Sequence, residues 1–64
     1  MTKWKVGDKV SCIKWRRDMK EGDEGSIVKR EDEFWNIVWT VSYRRGSKEL
    51  GCKDQEMDEY FKKI

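Results

Sequence analysis

Two short runs share one design: Trp15-Arg16-Arg17 and Tyr43-Arg44-Arg45. In each, an aromatic residue is followed by two arginines. An aromatic ring stacks on an unpaired base, and a guanidinium forks onto phosphate or a guanine edge. Lys14 and Lys20 flank the first run and would add attraction for phosphate. The candidate nucleic-acid contact is therefore Lys14, Trp15, Arg16, Arg17, Lys20, Tyr43, Arg44 and Arg45. A structural role competes with it: Trp15 and Tyr43 as core residues, with solvated arginines beside them.

Catalytic chemistry finds little to work with. The chain has no histidine for proton transfer near neutral pH. Cys12 and Cys52 therefore lack the usual base partner of a thiol nucleophile, and a zinc site would have to draw on carboxylates. They lie far apart in sequence, and free thiols are the expectation for an intracellular chain. No glycine-rich phosphate loop follows a strand. A chain of 64 residues offers no deep pocket in which to desolvate a pair of carboxylates. The expectation is a non-enzyme with no cofactor, no metal and no small-molecule substrate.

The net charge is only +2, far below that of a protein that coats nucleic acid. It is unevenly spread: residues 1–30 hold nine Lys/Arg against five Asp/Glu, and residues 31–64 hold six against eight. A basic face and an acidic face suit a selective contact. No long apolar segment or signal peptide is visible, so the expectation is a cytoplasmic protein with no membrane contact.

These residues need elements to carry them. Glycine supplies the positive φ of tight turns. Val6-Gly7-Asp8-Lys9-Val10 and Gly22-Asp23-Glu24-Gly25-Ser26-Ile27 read as two turns, each leading into a strand. Lys9 to Trp15 is the first strand, and the shift of its apolar alternation between Cys12 and Ile13 predicts a bulge or two-sided burial there. Arg16 to Glu24 is a charged loop, Ser26 to Arg30 the second strand, and Glu31-Asp32-Glu33 an acidic turn. Phe34 to Tyr43 is the strongest strand signal. Its odd positions Trp35, Ile37, Trp39, Val41 and Tyr43 are all apolar or aromatic and predict a core face. Ten residues at about 3.3 Å each exceed the body of a small barrel, so this strand must bend or protrude. Phe34 and Trp35 beside the acidic turn also allow an aromatic cage for a methylated cation. Trp4 precedes the first turn and is expected to cover one open end of the barrel; exposure for a partner is the alternative.

Arg44-Arg45-Gly46-Ser47 is a turn and Lys48 to Cys52 a short fourth strand. In the tail, Met57, Tyr60, Phe61 and Ile64 fall at i, i+3, i+4 and i+7, predicting a helix over 54–64 that Asp54 caps. So short a helix must dock on the sheet to persist. The expectation is one domain over 1–64: a mainly β, five-stranded SH3-like barrel with a short C-terminal helix appended at 54–64.

The order Gly-Asp-x-Val, loop, Gly-x-x-Gly-x-Ile, at Gly7, Asp8, Val10, Gly22, Gly25 and Ile27, resembles the KOW motif on an SH3-like barrel. That motif is found in NusG-type elongation factors and in ribosomal proteins. Ser47-Lys48-Glu49-Leu50 and Asp54-Gln55-Glu56-Met57 are similar to the last two strands of NusG-type domains, so the resemblance covers roughly residues 5–57. It places a closing strand where the periodicity places a helix, and the charged first loop lacks the small tip usual in KOW domains. The resemblance implies a nucleic-acid-binding module, RNA or DNA, acting in transcription or translation. The alternative is a protein-interaction adaptor of Tudor or KOW type that docks on a partner such as RNA polymerase.

Overall fold

The computed structural model describes residues 3–64. The alternating runs of the sequence build one antiparallel sheet. The strands are β1 (Lys9–Cys12), β2 (Glu24–Asp32), β3 (Ile37–Tyr43), β4 (Lys48–Lys53) and β5 (Phe61–Lys63), with the helix α1 (Asp54–Tyr60) between the last two. The spatial order is β4-β3-β2-β1-β5. The fold class expected from the sequence is therefore present: mainly β, five strands and one short helix. β4 and β5 stand at the two edges of the sheet, with α1 joining them in the chain.

Alternation sets the core. Val10 and Cys12 of β1, Ile27 of β2, Trp39, Val41 and Tyr43 of β3, and Leu50 and Cys52 of β4 are buried, joined by Trp4, Met19, Met57 and Phe61. Trp4 is thus buried with the core and is not held out for a partner. The bulge falls elsewhere than expected. β1 simply ends at Cys12, whereas β2 steps from Ile27 opposite Val41 to Lys29 opposite Thr40, so Val28 is the extra residue and points outward. Beyond it, residues 29–32 of β2 are exposed and the β2–β3 hairpin runs on past the core.

The core face of β3 is shorter than the alternation implied. Trp39, Val41 and Tyr43 are buried and Ile37 half-buried, but Trp35 is 84% exposed. β3 begins at Ile37 because Glu33 and Asn36 close the hairpin with reciprocal backbone bonds of 2.7 and 3.3 Å, leaving Phe34 and Trp35 at its tip. Residues in a two-residue loop no longer follow the strand's alternation.

The tail follows the periodicity at first and corrects the resemblance, which placed a closing strand at Asp54-Gln55-Glu56-Met57: those residues are helical, and the closing strand comes later, at Phe61–Lys63. Asp54–Tyr60 is helical, and the last turn closes where the Phe61 N–H donates to Met57 O. The helix does not run to Ile64. Phe61–Lys63 pairs with β1 instead, Phe61 facing Cys12. A longer helix would leave one edge of β1 without hydrogen-bond partners, a penalty that outweighs three more residues of helix. Ile64 is accordingly exposed, while Met57 and Phe61 reach the core. Lys53, not Asp54, is the N-cap residue: Glu56 Oε1 accepts its N–H at 3.2 Å, and the Asp54 carboxylate instead accepts Trp39 Nε1 at 2.8 Å.

The two glycine units prove to be one device used twice. In Lys5-Val6-Gly7-Asp8 and Lys20-Glu21-Gly22-Asp23 the Asp N–H donates to the lysine carbonyl, and the Asp carboxylate accepts the lysine N–H at 3.0 Å. Gly7 and Gly22, at φ 101° and 95°, take the third turn position, where positive φ is needed. Each turn then docks reciprocally: Gly7 N to Ile27 O with Ile27 N to Asp8 O, and Gly22 N to Cys12 O with Cys12 N to Asp23 O. The recurring Lys-x-Gly-Asp is too short to read as an internal repeat, and its shared role shows only in the hydrogen bonds.

Asp8 also meets Lys63 of β5 at 3.2 Å. Burial works to raise its carboxyl, but the Lys63 ammonium and the Lys5 N–H outweigh it and hold the group below its ordinary 3.8. A carboxyl lowered by folding stabilises the fold above that ordinary value, and the contribution drains away as pH falls through the folded value. Asp8→Asn is expected to lower the urea midpoint at pH 7, with the gap to wild type closing below pH 3.8. A gap that persists into strong acid would count against this role.

Candidate nucleic-acid interface

β1 ends and β2 begins at the same end of the sheet as the β3–β4 turn, because Gly25 faces Tyr43 and Tyr43 faces Lys48. The two loops that carry the aromatic–arginine runs are therefore neighbours. Asp18 ties them together: its carbonyl accepts Arg44 Nη2 at 3.2 Å and its carboxylate meets Lys48 at 3.7 Å. Met19, fully buried, anchors the first loop. A single apolar residue in so charged a segment carries no periodicity, so its role was not visible in the sequence.

The eight nominated residues divide into three groups. Trp15, Arg17, Lys20, Arg44 and Arg45 are exposed at this end. Lys14 and Arg16 turn toward α1. Lys14 pairs with Glu59 at 3.4 Å and lies 5.5 Å from the Tyr60 ring. Arg16, its side chain only 18% exposed, donates to Gly51 O at 3.3 Å, pairs with Glu56 at 3.7 Å and stacks 4.7 Å from the Tyr60 ring. It holds loop, β4 and helix together, and its buried Nε has no hydrogen-bond partner. Tyr43 is a core residue and offers no ring for stacking; it is the last inward position of β3. The expectation for Tyr43 is corrected accordingly.

Trp15 is 67% exposed. Its Nε1 donates to Arg17 O at 2.6 Å, and the Lys20 ammonium lies 5.9 Å from its ring. The ring is thus fixed with a face open to solvent. Arg17, Lys20, Arg44 and Arg45 form no ion pair among the described residues. Glu21, Asp23 and Glu24 share this end, so its cationic character is local.

Backbone strain marks three of these residues. Among the described residues the non-glycine positions with positive φ are Arg17 at 52°, Arg44 at 52° and Arg45 at 56°. Arg17 sits in the turn closed by paired backbone bonds of 2.9 Å between Arg16 and Met19. Arg44 and Arg45 are the central pair of the turn from Tyr43 to Gly46, whose 3.1 Å bond closes a type I′ geometry. Asn-Gly is the low-strain choice there. Each left-handed arginine costs about 1 kcal/mol. Strain of this kind gathers at functional sites.

A shallow cleft of about 340 Å³ lies between the loops, lined by Lys20, Asp23, Glu24, Tyr43 and Arg44. Both cysteines are free and buried. Burial pushes the Cys52 thiol up to about 11, against the pull of Arg16, and burial likewise raises Cys12. Neither is a poised nucleophile. Among the described residues no helix is long and apolar enough to cross a membrane. Comparison with protein-family models, curated proteins and solved structures gives no significant match.

Proposed function

We propose that the arginine end of the sheet binds nucleic acid, with single strands preferred. The observation that carries this is the convergence there of an open Trp15 ring with four cations, Arg17, Lys20, Arg44 and Arg45, that have no carboxylate partner among the described residues. Trp15 stacks on an unpaired base, as aromatic side chains do in single-strand grooves. The arginines and Lys20 engage the phosphates on either side. Three of the four cations sit where backbone strain has been accepted, which is consistent with a ligand role. Lys14 and Arg16 act from behind by fixing the loop on α1. The acidic neighbours Glu21, Asp23 and Glu24 keep the contact selective. The KOW-like order of glycine turns supports an SH3-like barrel module of the cytoplasmic transcription or translation machinery.

Fluorescence anisotropy with labelled single-stranded and duplex oligonucleotides tests the reading. Expected is saturable single-strand binding at low salt, in the micromolar range usual for non-specific contacts, with a log–log salt slope near −0.7 per phosphate neutralised. The double variant Arg17→Ala/Arg45→Ala should lose about tenfold or more, and Lys29→Ala, whose ammonium pairs with Glu31 at 3.0 Å, should bind as wild type. Absence of binding at low salt, or a double variant that binds normally, overturns the proposal.

A further inference from the structure

The opposite end of β3 carries an arrangement that folding does not explain. Phe34 and Trp35 are 86% and 84% exposed, and their rings meet edge to face at 4.3 Å. A chain this small has few aromatic side chains to bury, yet it holds these two in water. The backbone that carries them is also anchored. The hairpin tip is closed by the Glu33–Asn36 bonds, and Gln55 of α1 donates to Asn36 Oδ1 at 3.2 Å. The rings border an open cleft of about 400 Å³ whose lining includes Asp32, Glu33 and Asp54 but no lysine or arginine. Asp32 is neutralised by Arg30 at 2.8 Å. Glu33 and Asp54 form no ion pair among the described residues; Asp54 accepts only the neutral Trp39 indole.

We propose that this tip is a docking site for a protein segment that carries arginine or lysine. The choice of occupant follows from charge complementarity. Aromatic faces attract cations, and unpaired carboxylates beside them add direct attraction. The same carboxylates repel phosphate, which disfavours both nucleic acid and an anionic lipid surface at this end. The seven residues of β3, at about 3.3 Å each, separate the tip from the arginine end by roughly 20 Å. Two ligands of opposite charge therefore fit at once. The inference stands independently of the nucleic-acid reading, because it uses none of the same residues.

The test is a titration with a blocked hexapeptide of alternating glycine and Arg/Lys, beside analogues in which glutamine or glutamate replaces the basic residues. It is read by the Trp35 indole N–H in 15N spectra. Expected is saturable movement of the Trp35 signal by the basic peptide, with Kd near about 1 mM or tighter, and none by the acidic one. Trp35→Ala and Glu33→Gln should each weaken binding at least about threefold, read from the remaining tip amides. Both variants keep the fold intact, since neither side chain is part of the core. The proposal is overturned if the glutamine peptide binds equally well or if shifts spread over other acidic residues without saturating. It is also overturned if either variant binds as wild type, or if oligonucleotide or anionic phosphatidylserine vesicles move Trp35 in place of the basic peptide.

Discussion

Gly25→Ala is expected to unfold the protein or bring it to the brink. A Cβ at this position would lie 2.7 Å from Ser42 O, 2.9 Å from Val41 Cγ1 and 3.3 Å from Tyr43 Cβ. The difficulty is space, since Gly25 is not among the residues with positive φ. Gly25 faces Val10 on one side and Tyr43 on the other, where β2 passes between β1 and β3. The closest atom is a backbone oxygen of the adjoining strand, which cannot yield without disturbing the β2–β3 register. Overpacking of this kind costs about 3 kcal/mol. A domain of this length holds only about 3–10 kcal/mol in total. Urea unfolding followed by circular dichroism should show a midpoint shifted far toward zero. Gly51→Ala is the control: its Cβ would find Val38 Cγ1 at an ordinary 3.6 Å. Wild-type stability in Gly25→Ala, or a collapse of Gly51→Ala, would contradict the packing described.

Trp39→Ala is expected to be comparably severe. Trp39 is wholly buried and is the largest side chain among the described residues that is so completely enclosed. It lies in the central strand, facing Arg30 on β2 and Cys52 on β4. The Arg30 guanidinium stacks 5.5 Å from its ring, and its indole N–H donates to Asp54 at the start of α1. Truncating a buried tryptophan costs about 3–5 kcal/mol. Trp39→Phe separates the two contributions: most of the burial survives, but Asp54 loses its donor, at about 1 kcal/mol. The same urea experiment should therefore rank wild type above Trp39→Phe and Trp39→Phe well above Trp39→Ala. Equal midpoints for the two variants would assign the whole effect to the hydrogen bond and contradict the burial argument. Trp35→Ala, removing an exposed ring, should leave the midpoint unchanged.

Sequence pattern carried the fold where local rules and tertiary packing agree. Gly7 and Gly22 marked turns because their φ values admit little else, and Val41 and Trp39 declared the inward face of β3 by alternation. The tail was ambiguous for a physical reason: Met57, Tyr60 and Phe61 suit a helix stripe, but Phe61 also completes the free edge of β1, a long-range demand that periodicity does not record. Trp35 was misjudged because it continues the alternation of β3, and only the hairpin closure at Glu33–Asn36 places it outside the strand; for Tyr43 the same alternation pointed inward, against its nomination as a stacking ring. The two arginine runs, twenty-eight residues apart in sequence, come together on neighbouring loops at one end of the sheet. The sequence could not tell Arg16, which braces α1, from Arg17, which faces solvent, because that depends on Gly51 and Tyr60, more than thirty residues away.

The arginine end is tested most directly by a 15N chemical-shift titration of the wild-type protein with a short single-stranded oligonucleotide at low salt. The binding predicted here moves the Trp15 indole N–H and the amides of Arg17, Lys20, Arg44 and Arg45 together with one saturation curve, and leaves Phe34 and Trp35 in place. An unchanged spectrum, or shifts centred on the Phe34–Trp35 tip, would contradict it.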